Sequence, residues 1–249
     1  MLSNLSSSAF GFRYFKITGG GGDVPPVNDP LLSPLVPCSI YLSFEDGLAT
    51  DNNNTAGDYS GTVYGGSING NRAGVSNANS FSSDNTIGSE RYIEMPAFTV
   101  PTDSATQFSF WIYSDSAGTG TTRIFEMATN SENVYLEQYS TDRTKFRYCD
   151  GGPIFYVPTD EWHCIYIVQY GNFGNTTSTV NIWLDKVVVA SSATISCNPI
   201  EYYTANWRIG RSISNVSNLT SICGSLDEFY VIHPFTTAAN KNLLYDTWA

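Results

Sequence analysis

The stretch Cys223-Gly224-Ser225-Leu226-Asp227-Glu228-Phe229-Tyr230-Val231-Ile232, close to the C-terminal end, decides how this chain is read. Its residues alternate, with Leu226, Glu228, Tyr230 and Ile232 on one side and Ser225, Asp227, Phe229 and Val231 on the other. A period of two over this length predicts a β-strand. Large apolar residues on both sides predict a strand covered on both faces for part of its length. An aspartate in such surroundings is costly to bury unless something satisfies it, which makes Asp227 the first candidate functional residue.

The same rhythm extends back from this strand to Cys38. Alternating segments at 39–44, 61–65, 91–96, 107–113, 123–127, 134–139, 145–149, 162–170, 179–190 and 206–210 are separated by turns rich in Gly, Asn and Asp. Strands at this spacing predict an all-β fold, a two-sheet antiparallel β-sandwich. Helical periodicity is almost absent, and only 236–245 resembles a helical turn. The 249 residues therefore divide into an N-terminal arm with a Gly/Pro-rich linker, 1–37, and a sandwich domain, 38–249. Within the arm, 10–18 alternates and could pair as one strand, Gly19 to Gly22 supply a hinge, and Pro25, Pro26, Pro30, Pro34 and Pro37 make an extended spacer. The expected holder of such an arm is a neighbouring subunit in an oligomeric assembly.

Charge narrows the partners. The chain carries 12 basic and 23 acidic residues, a net charge of −11. A nucleic-acid binder is expected to carry a basic stripe. Arg143, Lys145 and Arg147 alternate on one face, but Asp142 and Asp150 flank them, which predicts a solvated strand face and no nucleic-acid partner. No apolar run approaches the roughly 20 residues of a membrane span. Residues 1–9 are Ser-rich and lack the basic and apolar regions of a secretory signal, so the expected location is a virion surface or an extracellular one reached without an evident signal. The five cysteines show no CxxC spacing, and the two histidines are not placed to complete a zinc site with them. Buried thiols and one or two disulfides both stay open.

The order of motifs is more specific than any one of them. Tyr41-Leu42-Ser43-Phe44-Glu45-Asp46-Gly47 is followed by Arg91-Tyr92-Ile93-Glu94-Met95-Pro96 and Phe108-Ser109-Phe110-Trp111-Ile112. Then come Glu161-Trp162-His163, Val180-Asn181-Ile182-Trp183-Leu184-Asp185-Lys186, Trp207-Arg208-Ile209-Gly210 and Gly224-Ser225-Leu226-Asp227-Glu228-Phe229. This succession resembles the laminin-G-like, concanavalin A-like jelly-roll domains. The resemblance implies a concanavalin A-like jelly roll and a structural Ca2+ ion. In the family the Asp of the Gly-x-Leu/Ile-Asp-Glu strand helps hold calcium with backbone carbonyls and an Asp near the first strand. Those positions here are Asp227 and Asp46, with Asp51 and Asp58 as alternatives to the latter. Calcium takes six to eight oxygen ligands, which loops rich in Asp, Asn and Gly can supply. Alternatively, Asp227 caps backbone N–H groups without a metal. The family's Tyr-x-Asp-Gly turn stands here as Leu184-Asp185-Lys186, and Lys in place of Gly puts a tight turn in doubt.

Glycoside hydrolysis needs two carboxylates flanking the scissile bond. The laminarinase-type Glu-x-Asp-x-Glu signature is missing, and the adjacent pairs Asp160/Glu161 and Asp227/Glu228 are expected to face opposite sides of their strands. His163 and His233 are read as structural, so the domain is expected to be non-enzymatic. A sugar site pairs an aromatic face with polar loops, and the candidates are Tyr59, Tyr64, Phe173, Tyr202 and Tyr203. Trp111, Trp162, Trp183 and Trp207 are assigned to the core. The expected function is a non-catalytic, surface-displayed jelly roll with lectin-like, carbohydrate-binding potential, in a virion decoration or fibre protein anchored by 1–37. Its partners would be glycans or a glycoprotein surface and other assembly subunits. The alternatives are a secreted or cell-surface calcium-dependent adhesion module and, more remotely, a glycoside hydrolase.

Overall fold

The computed structural model describes residues 38–44, 47–52, 59–70, 80–84, 91–97, 105–128, 133–139, 141–171, 177–196, 207–213, 219–232, 242 and 244–246. The chain order of strands is β1 (Ile40–Leu42), β2 (Thr62–Tyr64), β3 (Ser67–Gly70), β4 (Ser80–Asp84), β5 (Tyr92–Met95) and β6 (Thr106–Ser114). Next are β7 (Thr121–Ala128), β8 (Asn133–Gln138), β9 (Lys145–Tyr148), β10 (Ile154–Tyr156), β11 (Trp162–Gly171) and β12 (Ser178–Leu184). The last are β13 (Val187–Ile195), β14 (Trp207–Ile209), β15 (Leu219–Thr220) and β16 (Cys223–Ile232). Sheet I runs β13-β12-β11-β6-β16-β4-β3, with β1 also on β16; sheet II runs β10-β9-β8-β7-β14-β5-β2, with β15 on β7. The expected two-sheet sandwich is the fold found. The segment 1–37 lies outside the described residues.

Alternation within each strand makes the core. In β6, Phe108, Phe110 and Ile112 enter it, while Gln107, Ser109 and Trp111 face away. Sheet II supplies Ile93, Phe125, Leu136, Phe146 and Trp207 from the other side. Ring contacts knit the layers: Phe108 stacks on Phe125 at 4.6 Å, and Phe110 on Phe229 at 5.4 Å. Polar links also cross between the layers: Tyr148 Oη donates to Gln169 Oε1 at 2.7 Å, and Gln138 Nε2 donates to Ser114 Oγ.

Strand β16, at the centre of sheet I, departs from strict alternation. Asp227 opposes Trp111 and Tyr230 opposes Ser109, so three steps on β16 match two on β6. The extra residue is a β-bulge, and Glu228 sits in it at φ 50°. Leu226 therefore shares the core with Phe229 and Val231, not with Tyr230 and Ile232 as alternation predicts. Gly224 precedes the bulge because a Cβ there would lie 1.9 Å from the Tyr113 carbonyl oxygen. The β12–β13 turn is tight despite its lysine: Asp185 and Lys186 take φ 47° and 70°, as a two-residue hairpin turn of this type requires. The Asp185 side chain holds the turn, since its Oδ1 accepts the Cys164 N–H at 2.8 Å.

The cysteines divide. Cys149 is disulfide-bonded, whereas Cys38, Cys164 and Cys223 are buried thiols. Burial, with Asp51 nearby, pushes the Cys38 thiol up to about 12.

Candidate functional site

The outer faces of the two sheets differ in what covers them. On sheet I the row Trp183, Tyr166, Ser109, Tyr230 and Tyr41 runs across adjacent strands in register. Tyr41 stacks on Tyr230 at 4.3 Å and donates its hydroxyl to Glu228 Oε2 at 2.6 Å. Burial and the Glu228 charge push the Tyr41 phenol well above its ordinary range. The C-terminal segment closes this face, with residues 242 and 244–246 helical. Leu244 joins the cluster, Tyr245 stacks on Trp111 at 5.3 Å, and Lys186 pairs with Asp246. Trp207 alone among the four assigned tryptophans lies between the sheets; Trp111, Trp162 and Trp183 belong to this outer layer.

The outer face of sheet II carries an array of charges and aromatic rings. On β8, Val134 and Leu136 enter the core, so Tyr135 and Glu137 face outward. A register shift between Arg123 and Phe125 lets Ile124 and Phe125 both enter the core, which returns Glu126 to the side of Arg123. Glu137 then receives Arg123 Nη2 on Oε2 at 3.2 Å and Arg147 Nη2 on Oε1 at 3.0 Å. The Arg123 guanidinium lies 3.2 Å from the Tyr135 ring centroid, and the Tyr135 hydroxyl donates to Asp150 at 2.6 Å. Burial opposes the Arg147 charge, but Tyr135, Glu137, Tyr139 and Asp150 outweigh it and raise its pKa. Further along, Arg208 lies 4.2 Å over Tyr92, on which Tyr64 stacks at 4.8 Å. Between the two groups, Glu126 is buried and its Oε2 accepts from Ser212 Oγ and the Ile213 N–H.

This face opens at the β8–β10 end. Tyr139 lies under Lys145 at 4.7 Å and Arg147 at 5.6 Å. Ile154 opposes Arg147, Tyr156 opposes Lys145, and the two apolar residues are 46% and 60% exposed. Rings beside hydrogen-bonding groups on an open sheet face can stack a flat ligand and orient its polar edge. The sequence reading of Arg143, Lys145 and Arg147 as one solvated face needs correction. Arg143 precedes β9 and is buried with Nη1 on the Gly120 carbonyl, while Arg147 is built into the Glu137 network. Sequence reading missed Arg123, Tyr135, Glu137 and Tyr139, although the Tyr-x-Glu-x-Tyr alternation of 135–139 was a visible signal.

Of the predicted site residues, Tyr64 belongs to this face, and the others fall elsewhere or outside the described residues. Asp227 is fully buried, and its Oδ1 accepts the Glu228 N–H at 2.9 Å, a backbone-capping contact. Asp46, its expected calcium partner, lies outside the described residues, as do Asp58, Phe173, Tyr202, Tyr203 and His233. Asp51 bridges two segments, taking the Tyr41 N–H on Oδ1 and the Tyr59 N–H on Oδ2. Among the described residues no cluster of three His, Cys, Asp or Glu side chains could by itself hold a metal ion. Tyr59 packs against the core, and Tyr64 is exposed on β2. His163 is structural in its contacts: Nδ1 is 2.6 Å from Asp185 and Nε2 is 3.2 Å from Glu161. Burial pulls its pKa down, but the two carboxylates outweigh this and hold it above the ordinary value. The pair Asp227/Glu228 does not split cleanly between faces, because the bulge lies between Asp227 and Tyr230.

Comparison with known proteins adds the following. A family model described as the concanavalin A-like lectin/glucanases superfamily matches residues 87–239. No curated protein matches the chain in sequence. Domain 4 of AbnA, an extracellular GH43 arabinanase from Geobacillus stearothermophilus solved with arabinotriose, is similar at 15% identity and TM-score 0.57, over 84% of this chain and 97% of that domain. Trypanosoma rangeli sialidase, solved with 2,3-difluorosialic acid, is similar at 10% identity and TM-score 0.56, over 84% of this chain and 32% of that one. The binding domain of botulinum neurotoxin serotype D/C is similar at 13% identity and TM-score 0.53, over 85% of this chain and 52% of that one. The chain thus spans nearly all of the arabinanase domain, but only about a third of the sialidase and about half of the toxin domain. At these identities the likeness is one of fold.

Proposed function

Because this chain belongs to the concanavalin A-like lectin/glucanases superfamily, we propose that it is a non-catalytic glycan-binding module whose binding surface is the outer face of sheet II. The observation that carries the reading is the open β8–β10 end, where exposed Tyr156 and half-buried Tyr139 flank Lys145 and Arg147. Aromatic rings offer the apolar face of a sugar a large contact at little conformational cost, and the fixed charges nearby set its orientation. The arabinanase domain solved with arabinotriose makes a saccharide ligand a reasonable first choice. The test is a glycan array probed with the full chain and with Tyr156→Ala. Binding that is lost in the variant while its melting temperature is kept supports the face; binding that is unchanged removes it.

One observation favours a second reading, a glycoside hydrolase. Glu126 and Glu137 stand on neighbouring strands of this face, and Glu126 opposes Tyr135, two residues from Glu137. Such diagonal neighbours are roughly 7–8 Å apart, close to the carboxylate spacing of inverting enzymes. Against it, both are nearly fully buried, Glu137 is clamped by two guanidinium groups and Glu126 by Ser212 and Ile213. Release of reducing sugar by the full chain, abolished in Glu137→Gln and Glu126→Gln, would establish this reading over the first.

Two finer elements belong to the proposal. A calcium ion held by Asp227 with Asp46 draws support from β1, which pairs with β16 at Leu42–Phe229 and runs toward the Asp227 end. Such an ion would tie the loop after β1 to the central strand; melting with calcium and with chelator tests it, and an unchanged midpoint removes it. An assembly role for 1–37, in a virion or another oligomer, is supported by the arm's composition. Deleting the arm should leave a folded monomer and abolish assembly.

A further inference from the structure

We infer that the β8–β10 end of this face takes the carboxylate of an acidic sugar, a uronate or a nonulosonate, on Lys145 with the sugar ring against Tyr156. This rests on the glycan-binding reading and names the class of sugar.

The arginines of this face already have counter-charges. Arg123 and Arg147 share Glu137, Arg147 also meets Asp150 at 3.3 Å, and Arg208 meets Glu94 at 3.5 Å. Among the described residues Lys145 makes no ion pair; its Nζ lies over the Tyr139 ring instead. Asp142, the acid nearest along the chain, is exposed and engages its own loop, with Oδ1 accepting both the N–H and the hydroxyl of Thr144. An ammonium over an aromatic ring keeps its other donors free for a ligand. It is also a point charge, suited to one carboxylate without the bidentate geometry an arginine imposes.

The neighbour in register supplies the second contact. Tyr156 opposes Lys145 across β9–β10 and is 60% exposed. Directly opposed residues on one face have Cβ atoms about 5 Å apart, so a single sugar residue can touch both. The surroundings limit the ligand's charge. Glu137 and Asp150 lie on the same face, and the chain as a whole carries −11. A polyanion would meet these carboxylates, whereas a sugar with a single carboxylate meets only the lysine.

The test uses the full chain and two matched pairs of singly charged or neutral probes: methyl galacturonoside with methyl galactoside, and sialyllactose with lactose. Saturation-transfer NMR and titration read the affinity at low and at moderate salt. At least one acidic member is expected to bind at least tenfold more tightly than its neutral partner. That preference should vanish in Lys145→Met and shrink with salt, while Tyr156→Ala weakens acidic and neutral members alike. Whichever pair shows the preference tells a uronate from a nonulosonate. Equal binding within both pairs, or a preference that survives Lys145→Met, overturns the inference and leaves glycan binding standing. No binding by any saccharide of the array overturns both. Melting curves of the two variants separate lost contact from lost fold.

Discussion

The two outer faces of this sandwich carry similar residue types and use them differently. On sheet I, Tyr41, Tyr166, Tyr230, Trp111 and Trp183 are packed under the C-terminal segment, and the hydroxyl of Tyr41 is closed off on Glu228. On sheet II, Tyr135, Tyr139 and Tyr92 lie against guanidinium and ammonium groups, Tyr64 stacks on Tyr92, and the face opens at Tyr156. An aromatic face under a cover acts as a second core. The same kind of face interleaved with fixed charges is held by ion pairs and cation–ring contacts and is exposed along its β10 edge.

The sharpest way to break this comparison is to remove the central charge of sheet II. Glu137→Ala leaves Arg123 without its carboxylate and Arg147 with Asp150 alone, and a loss of about 3 kcal/mol in urea unfolding is expected. A loss within about 0.5 kcal/mol would mean the array is surface decoration. On sheet I, Tyr41→Phe takes a hydroxyl donor from the buried Glu228 carboxylate, and should cost about 2 kcal/mol by the same measurement. Tyr245→Ala uncovers Trp111 and should cost about 1 kcal/mol. Its companion signal is a red shift of tryptophan emission as Trp111 meets water.

A smaller effect distinguishes the rim of sheet I by pH. The folded pKa of His163 is raised, so its pairing with Asp185 and Glu161 stabilises in full below the ordinary histidine value near 6.5. That contribution is lost as pH rises through the folded pKa. Stability measured from pH 5 to 9 should therefore decline above the ordinary value in the parent, and His163→Gln should flatten that part of the profile. An identical slope in both proteins would remove His163 from the account.

How much was legible follows from where alternation holds. In β6, Phe108, Phe110 and Ile112 enter the core as their spacing predicts, and β8 does the same with Val134 and Leu136. In β16 and β7 a register shift intervenes, and Leu226 with Phe229, or Ile124 with Phe125, share a face that strict alternation denies them. Those shifts set the positions of Glu228 and Glu126. Their signal in the sequence is slight: nothing in Leu-Asp-Glu-Phe marks Glu228 as the residue at positive φ, a conformation unfavourable for a side chain of this kind. The tryptophans show the same limit. Trp111 and Trp207 are both buried apolar residues, but one lies outside sheet I and the other between the sheets.

The sequence by itself determined the fold class, the strand-rich domain and most of the core, because a period of two is a local property that each strand carries alone. It also determined which residues are available for chemistry. Only the tertiary structure decided which of them meet. Glu137 finds Arg123 on β7 and Arg147 on β9, and Lys145 finds Tyr156 on β10, through the registers of consecutive hairpins, which alternation within one strand does not set. The central strand shows both halves: its alternation announced a strand, while one extra residue, accommodated against β6, chose which face each side chain would serve.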